Sequence, residues 1–291
     1  MISSRAFLVI ALLLLWVVPA ACIFGGGDAR RTRQSGESTR RVSSYRFANA
    51  QQLSAAARGS EEILIVKGRA NPAMLKKLKD MRPRVRVVNY EQAFALNARE
   101  AEYARNKGWL AQTCQGREIS PRRIPEVTLL DGTVAAARDW RTDLIAAETI
   151  RNGYDFNYLD TLRAIFPKDF YDGLPCDRSD AEWLSASIAT VGLVREKTGR
   201  PVIANGSGLQ SGRNYSRYRP QGDRLIAAAD AVQIEHFLRS PENREEDLAL
   251  VRTINEAGKD VYAKCVAPPQ SCRSTLADVE YERKNYLNVS R

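Results

Sequence analysis

The chain has 291 residues, a net charge of +10, and 44% hydrophobic residues. This length and composition allow one large domain or two small ones with a real apolar core. The single histidine and the absence of a C-x-x-C pair argue against a zinc site, and no cofactor is predicted. No G-x-G-x-x-G motif follows the early strands, and basic and aromatic residues do not interleave, so neither dinucleotides nor nucleic acids are expected partners.

The N-terminus resembles a secretion signal of the bacterial type. Residues 1–5 carry one positive charge and precede an apolar run over residues 6–18, which is shorter than the roughly 20 apolar residues of a membrane span. A Pro-Ala-Ala tripeptide then precedes Cys22, as in the lipobox at which bacteria attach lipid to cysteine. The sequence predicts a lipoprotein signal over residues 1–22. Plain secretion after either alanine and an uncleaved anchor are the alternatives.

A polar stretch rich in arginine and serine follows the signal. Residues 23–44 contain almost no apolar side chains after Phe24, and they predict a flexible tether. Its arginines suit contact with anionic lipid or cell-wall polymer, and a solvated linker is the alternative. With lipid on Cys22, the protein would be held by the membrane at the cell surface or in the periplasm; without lipid, it would be secreted.

Strand-like and helix-like segments alternate along the rest of the chain. The predicted strands are 63–66, 85–90, 109–113, 154–160, 201–205, 231–235 and 261–265. The predicted helices are 71–81, 92–106, 138–152, 180–197, 223–229 and 240–258, several of them followed by glycine. Such alternation indicates parallel strands with crossover helices.

We therefore predict an α/β fold over residues 45–291, a (β/α)8 TIM-like barrel that is irregular or incomplete at one end. A strand over residues 42–47 would bring the total to eight. Residues 271–291 have little strand character, although an eighth strand there is the alternative. An open doubly wound sheet is the alternative architecture.

Polar side chains stand at the C-terminal ends of the predicted strands, where TIM barrels place their active sites. Asp160 and Glu235 have no basic neighbour in sequence, and a pair of carboxylates is what glycoside hydrolysis requires. A helix cap or a salt bridge is the alternative role for each. The remaining candidates, predicted to bind substrate, are Lys67, Tyr90, Gln112, Asn205, Gln233 and Lys264.

Five cysteines are present, and lipidation of Cys22 would leave an even number. In an oxidising compartment Cys265 and Cys272, seven residues apart, are the local candidates for a disulfide. Cys114 and Cys176 would then form the second. Free buried thiols are the alternative.

Three segments resemble a known family of TIM-barrel glycoside hydrolases, which includes the endo-α-1,4-polygalactosaminidases and their uncharacterised relatives. They are GYDFNYLD at 153–160, PVIANG at 201–206 and ADAVQIE at 229–235, and the DWR at 139–141 is also similar. The resemblance implies a barrel, secretion and glycosidase chemistry, with Asp160 and Glu235 on the acidic pair. Two positions depart from the family pattern. The family usually has glycine after the first aspartate, where this chain has Phe156, and often a second acidic residue after the strand, where this chain has Thr161.

We therefore expect a monomeric glycosidase that acts on an extracellular polysaccharide. A non-catalytic glycan-binding lipoprotein on the same barrel is the first alternative, and a surface protein that works through its arginine-rich segment is the second. A net charge of +10 favours a neutral or anionic glycan over a cationic amino-sugar polymer.

Overall fold

The computed structural model describes residues 39–45, 50–68, 70–265, 267, 271–272 and 285–288. These residues belong to one compact unit over Glu37–Arg291. The predicted signal peptide, Cys22 and the first part of the predicted tether lie outside the described residues. The first strand begins at Thr39, within the segment predicted to be a tether, so the folded domain starts earlier than residue 45.

A closed barrel of parallel strands forms the centre of this unit. The strands are β1 (Thr39–Tyr45), β2 (Ile63–Lys67), β3 (Arg86–Gln92), β4 (Ala95–Leu96), β5 (Thr128–Leu129), β6 (Phe156–Arg163), β7 (Val202–Ser207), β8 (Ala231–Phe237), β9 (Asp260–Cys265) and β10 (Asn285–Asn288). The barrel order is β1-β10-β9-β8-β7-β6-β3-β2, and β1 also pairs with β2 to close it. β4 and β5 form a separate antiparallel pair.

Helices lie in every connection between barrel strands from β1 to β9, and together with the closed ring of eight strands they confirm the predicted (β/α)8 fold. They are α1 (Ala50–Arg58), α2 (Pro72–Met81), α3 (Ala98–Asn106), α4 (Ala135–Asn152), α5 (Asp180–Thr198), α6 (Gly212–Arg217), α7 (Arg219–Ala228) and α8 (Arg244–Glu256), the last preceded by a 3₁₀ turn at Pro241–Asn243.

Local sequence sets the helix boundaries. Asn71 caps α2 by accepting from the Ala73 amide, which agrees with the predicted start of this helix at residue 71. The helix predicted from residue 92 begins only at Ala98, because Asn97 and Glu100 form a capping box there. Ser179 is the N-cap of α5 and forms a capping box with Glu182, so the helix begins at Asp180, as predicted.

One predicted strand lies outside the barrel, and one barrel strand matches only an alternative in the prediction. Residues 109–113 make only isolated antiparallel bridges, Leu110 with Leu130 and Gln112 with Glu118, beside the β4–β5 pair. β10 lies where the alternative placed an eighth strand, within residues 271–291, although its NYLN sequence is short and has little strand character. The barrel is therefore closed by β1 and β10 together.

The core has two main layers. Inside the barrel, a cluster contains Ile63, Ile65, Val88, Tyr158, Ile203, Ala231 and Tyr262. Between the outer face of the sheet and the helices lies a larger cluster that includes Leu159, Trp183, Val232 and Ile254. Strand alternation explains both layers, because successive side chains point to opposite faces.

Candidate active site

The alternation that fills the barrel interior also places the predicted polar residues at its C-terminal mouth. Two residues beyond the interior side chains Ile65, Val88, Tyr158, Ile203 and Tyr262, the same inward face carries Lys67, Tyr90, Asp160, Asn205 and Lys264. Glu235 occupies the inward position of β8, four residues after Ala231. The strand ends therefore bring together residues from six strands.

A cavity of about 1900 Å³ lies at this mouth. Its lining includes Tyr90, Asp160, Asn205, Glu235 and Lys264. Two loops form its walls. One lies between α3 and β5 and contributes residues 121–124; the other lies between β6 and α5 and contributes residues 165–171. The cavity exceeds the roughly 300–1,000 Å³ of typical small-molecule pockets, so it has room for a large ligand.

Four donors surround the carboxylate of Asp160. Its Oδ2 atom accepts from the Tyr90 hydroxyl and, at 3.4 Å, from Gln92 Nε2. Its Oδ1 atom accepts from Asn205 Nδ2 at 3.0 Å and from the Thr161 amide at 2.7 Å. A carboxylate offers about four lone-pair positions, so this set holds the ionised form in one orientation.

Burial raises the pKa of Asp160 above that of an ordinary aspartate, and the negative charge of Glu235 raises it further. The Tyr90 hydroxyl and the Thr161 amide oppose this rise, because they donate to the carboxylate. Glu235 also lines the cavity, so the two carboxyl groups lie in the same polar pocket.

A β-bulge in β6 shapes the site. The register between β6 and β7 shifts between Leu159 and Leu162, and Thr161 has a φ of 63°. A β-branched residue in the left-handed region is a true outlier and typically costs about 1–3 kcal/mol. The bulge leaves Arg163 opposite Ser207, on the inward side together with Asp160, whereas strict alternation would turn Arg163 outward.

Glu235 carries its own partner. Lys264 Nζ lies 3.3 Å from Glu235 Oε1, and both side chains are partly exposed to the cavity. His236, the next residue, also lines the cavity, and burial lowers its pKa, so its imidazole is neutral at pH 7. The ammonium of Lys264 is positioned to stabilise negative charge on Glu235.

Tyr90 joins the carboxylate to the rest of the interior. Its ring stacks on Tyr158 with 5.1 Å between centroids, and Lys67 Nζ lies 5.2 Å from the Tyr90 centroid. Burial raises the pKa of Tyr90 well above its usual value, so the hydroxyl stays protonated and donates. Lys67 thus contacts the tyrosine that orients Asp160.

Three of the predicted substrate-binding residues, Lys67, Gln112 and Gln233, do not line the cavity. Gln112 is exposed on the 109–113 segment, pairs with Glu118 and does not line the cavity, so that prediction is wrong. Gln233 does face inward on β8, but it is 3% exposed and lies deeper in the barrel than the cavity lining. Asn205 is 2% exposed and donates to Asp160, which makes it an orienting residue.

Sequence reasoning missed three residues of the site: Gln92, Thr161 and Arg163. Gln92 lies two positions after Tyr90 on the same strand, so continued alternation could have found it. Arg163 had no such signal, because the bulge at Thr161 that turns it inward is not encoded in any residue preference.

A buried ion pair network supports the strand end of β3. The Arg141 side chain, 4% exposed, lies 2.9 Å from Glu91 and 3.2 Å from Glu100, and it donates to the Gln92 carbonyl. This explains the DWR tripeptide in structural terms, since Arg141 fixes the backbone next to Tyr90 and Gln92.

Both predicted disulfides are present. Cys114 bonds to Cys176, and Cys265 bonds to Cys272. The first joins the segment after α3 to the segment before α5, and residues of both segments line the cavity.

Comparisons with known proteins identify the fold. No family model and no curated protein matches the chain. Solved structures that share its fold include a GH31 α-xylosidase from a soil metagenome (11% identity, TM-score 0.60), covering 86% of this chain and 41% of that one. A GH36 α-galactosidase from Geobacillus stearothermophilus is 10% identical with a TM-score of 0.57, covering 86% and 39%. An α-amylase from Lactobacillus plantarum is 13% identical with a TM-score of 0.55, covering 87% and 71%.

The structural neighbours are thus glycoside hydrolases built on (β/α)8 barrels. At these identities the likeness concerns the fold, and the chain spans about two fifths of the length of the first two enzymes. Within the part of the chain that the structure describes, none of the helices is long and apolar enough to cross a membrane.

Proposed function

We propose that the protein is a glycoside hydrolase that cleaves an extracellular polysaccharide with Asp160 and Glu235. The observation that carries the proposal is that both carboxylates line one large cavity at the mouth of the barrel. A glycosidase needs one ionised carboxylate and one proton donor on either side of the scissile bond.

In this proposal Asp160 is the nucleophile or base. Four donors hold its carboxylate, and these donors favour the ionised form. Asn205 and Gln92 would orient the carboxylate, and the Tyr90 hydroxyl would donate to it while it is ionised.

Glu235 is the proton donor. As its proton passes to the leaving oxygen, the carboxylate left behind gains the ammonium of Lys264 at 3.3 Å. The developing charge is thereby stabilised in the transition state, which is where stabilisation accelerates a reaction.

A non-catalytic glycan-binding role is the second candidate, and one observation favours it. All four lone-pair positions of Asp160 are filled by protein donors, so attack on a sugar carbon requires one donor to leave. The contact at 3.4 Å with Gln92 is the longest of the four and the first to give way.

The test uses Asp160→Asn and Glu235→Gln, assayed for release of reducing ends from a panel of bacterial and plant polysaccharides. We expect each variant to lose at least about 100-fold in kcat, the order of a lost acid–base group. The matched controls are Asp143→Asn and Glu102→Gln, which are exposed on outer helices and should keep full turnover. Hydrolysis that survives both active-site changes would exclude the assignment, and retained binding without turnover in the wild type would favour the second candidate.

We also propose that the protein is exported and anchored through lipid on Cys22. Two disulfides support export, because such bonds persist in oxidising compartments. The finer relation to endo-α-1,4-polygalactosaminidases rests on the sequence segments alone. Metabolic labelling with a fatty acid, lost in Cys22→Ser, tests the anchor.

A further inference from the structure

An arginine with two unused hydrogen-bond donors among the described residues lies in the wall of the cavity. Arg163, at the end of β6, lines the cavity next to Asp160 and is only 4% exposed. Its guanidinium packs over the Tyr171 ring, 5.0 Å from the centroid. The ring fixes the plane of the guanidinium and leaves its edge for hydrogen bonding.

That edge is unused within the described residues. Nε and Nη2 of Arg163 have no hydrogen-bond partner, and Nη1 makes only a 3.5 Å contact with the Leu162 carbonyl. Burial lowers the pKa of Arg163 to about 10, so the group still carries its charge at pH 7. A buried charge whose donors lack hydrogen-bond partners is destabilising, and such groups are rare in native structures.

Asp160 does not meet this need. It raises the pKa of Arg163 and so lies within electrostatic reach, but it is not a partner of Nε or Nη2. Its own oxygens are already occupied by Tyr90, Gln92, Asn205 and the Thr161 amide. The two unused donors of Arg163 therefore remain available to a group that enters the cavity.

The charges around the cavity match an incoming anion. Eight basic and six acidic residues line it, and two of the acids, Glu91 and Glu100, are paired with Arg141 beneath the surface. The remaining cations besides Arg163 and Lys264 are Arg122, Arg123, Lys168, Arg217 and Arg239. This excess attracts negatively charged molecules and repels a cationic amino-sugar polymer.

We propose that the substrate carries an anionic group, a carboxylate or a sulfate ester on the sugar ring, which Arg163 binds through Nε and Nη2. The inference rests on the proposed glycosidase function and names its substrate class. The Nε–Nη2 edge of a guanidinium matches two oxygens of a carboxylate or sulfate, so it would fix the ring beside Asp160.

Binding of monosaccharides tests this without any bond cleavage. Isothermal titration of the full protein at low salt compares galacturonate, galactose 6-sulfate and galactose, and the corresponding glucose series. We expect at least one anionic sugar to bind about tenfold tighter than its neutral counterpart. The carboxylate and sulfate arms separate the two sources of the anion.

In Arg163→Met the preference should fall to within about twofold, whereas Arg84→Met should keep it. Arg84 is exposed in the turn before β3, at the opposite end of the barrel, so it is a matched loss of charge. Thermal melting without sugar supplies a second readout. Arg163→Met should melt at or above the wild-type temperature, because it removes an unpaired buried charge.

The proposal is wrong if no anionic sugar binds better than its neutral form, if the preference survives in Arg163→Met, or if that variant melts well below the wild type. Failure of the glycosidase proposal looks different. An anionic preference without hydrolysis of any polymer would leave this inference intact and remove the enzyme. Hydrolysis of a neutral glycan with no anionic preference would do the reverse.

Discussion

The left-handed residue in β6 allows a direct measurement of strain at the site. Thr161 has a φ of 63°, and its hydroxyl accepts from the Phe94 amide at a long 3.4 Å. We expect Thr161→Gly to be more stable than Thr161→Ala, since both lose the hydroxyl and only glycine adopts this φ without cost. The strain is about 1–2 kcal/mol, and the extra freedom of glycine in the unfolded chain returns about 0.5–1 kcal/mol of it.

The net difference is therefore about 1 kcal/mol in favour of glycine, or about 2–4 °C in melting temperature for a domain of this size. Equilibrium unfolding in urea, with m-values compared, measures it. At Thr128 in β5, which does not have a positive φ, the same pair should reverse, with glycine less stable than alanine. An alanine variant at 161 as stable as the glycine variant would refute the claim that the bulge is strained.

Three further outcomes follow from the site and its supports. Tyr90→Phe removes a donor that lowers the pKa of Asp160, so the acid limb of kcat/KM, already above the range of an ordinary aspartate, should move to still higher pH. Arg141→Met should lower the free energy of unfolding by about 3–5 kcal/mol, because it strands two carboxylates, and the loss should shrink as pH falls and they protonate. Replacing Cys114 and Cys176 by serine should lower the free energy of unfolding by up to roughly 4 kcal/mol and so lower the melting temperature. It should also raise KM, because the bond joins two walls of the cavity.

Each of these has a control. An acid limb that moves to lower pH in Tyr90→Phe would contradict the orienting role of the hydroxyl. Arg151→Met, on the same helix α4 but with an exposed side chain, should cost less than about 1 kcal/mol. The bond between Cys265 and Cys272 closes a much shorter loop, so opening it should cost less stability than opening the bond between Cys114 and Cys176. Equal losses would argue against loop length as the cause.

The barrel could be predicted because its signals are local and repeat. Asn71 with Pro72, Gly153 and Gly199 mark helix boundaries in the sequence, and runs such as VIAN mark buried strands. β10 could be stated only as an alternative, since the four residues NYLN become a strand only when β1 and β9 lie on either side of them. Tertiary pairing there overrides weak local preference.

The site shows the same division. Asp160, Asn205 and Glu235 were found because strand ends in a barrel converge by geometry alone. Gln112 was misassigned because its segment has the alternation of a strand but pairs with its own neighbours. Arg163 depends on one residue with a left-handed backbone, and a threonine gives no hint of that conformation.

The seam between β1 and β10 makes the two ends of the described chain depend on each other. The backbone of β1 pairs with β10 on one side and β2 on the other, while β10 pairs with both β1 and β9. Removal of residues 285–288 would uncover unpaired hydrogen-bonding groups along two strands at once, and open edges of this kind invite sheet-to-sheet association. Chains shortened at this seam should therefore be less soluble. A circular permutant that keeps both β1 and β10 should retain the closed barrel.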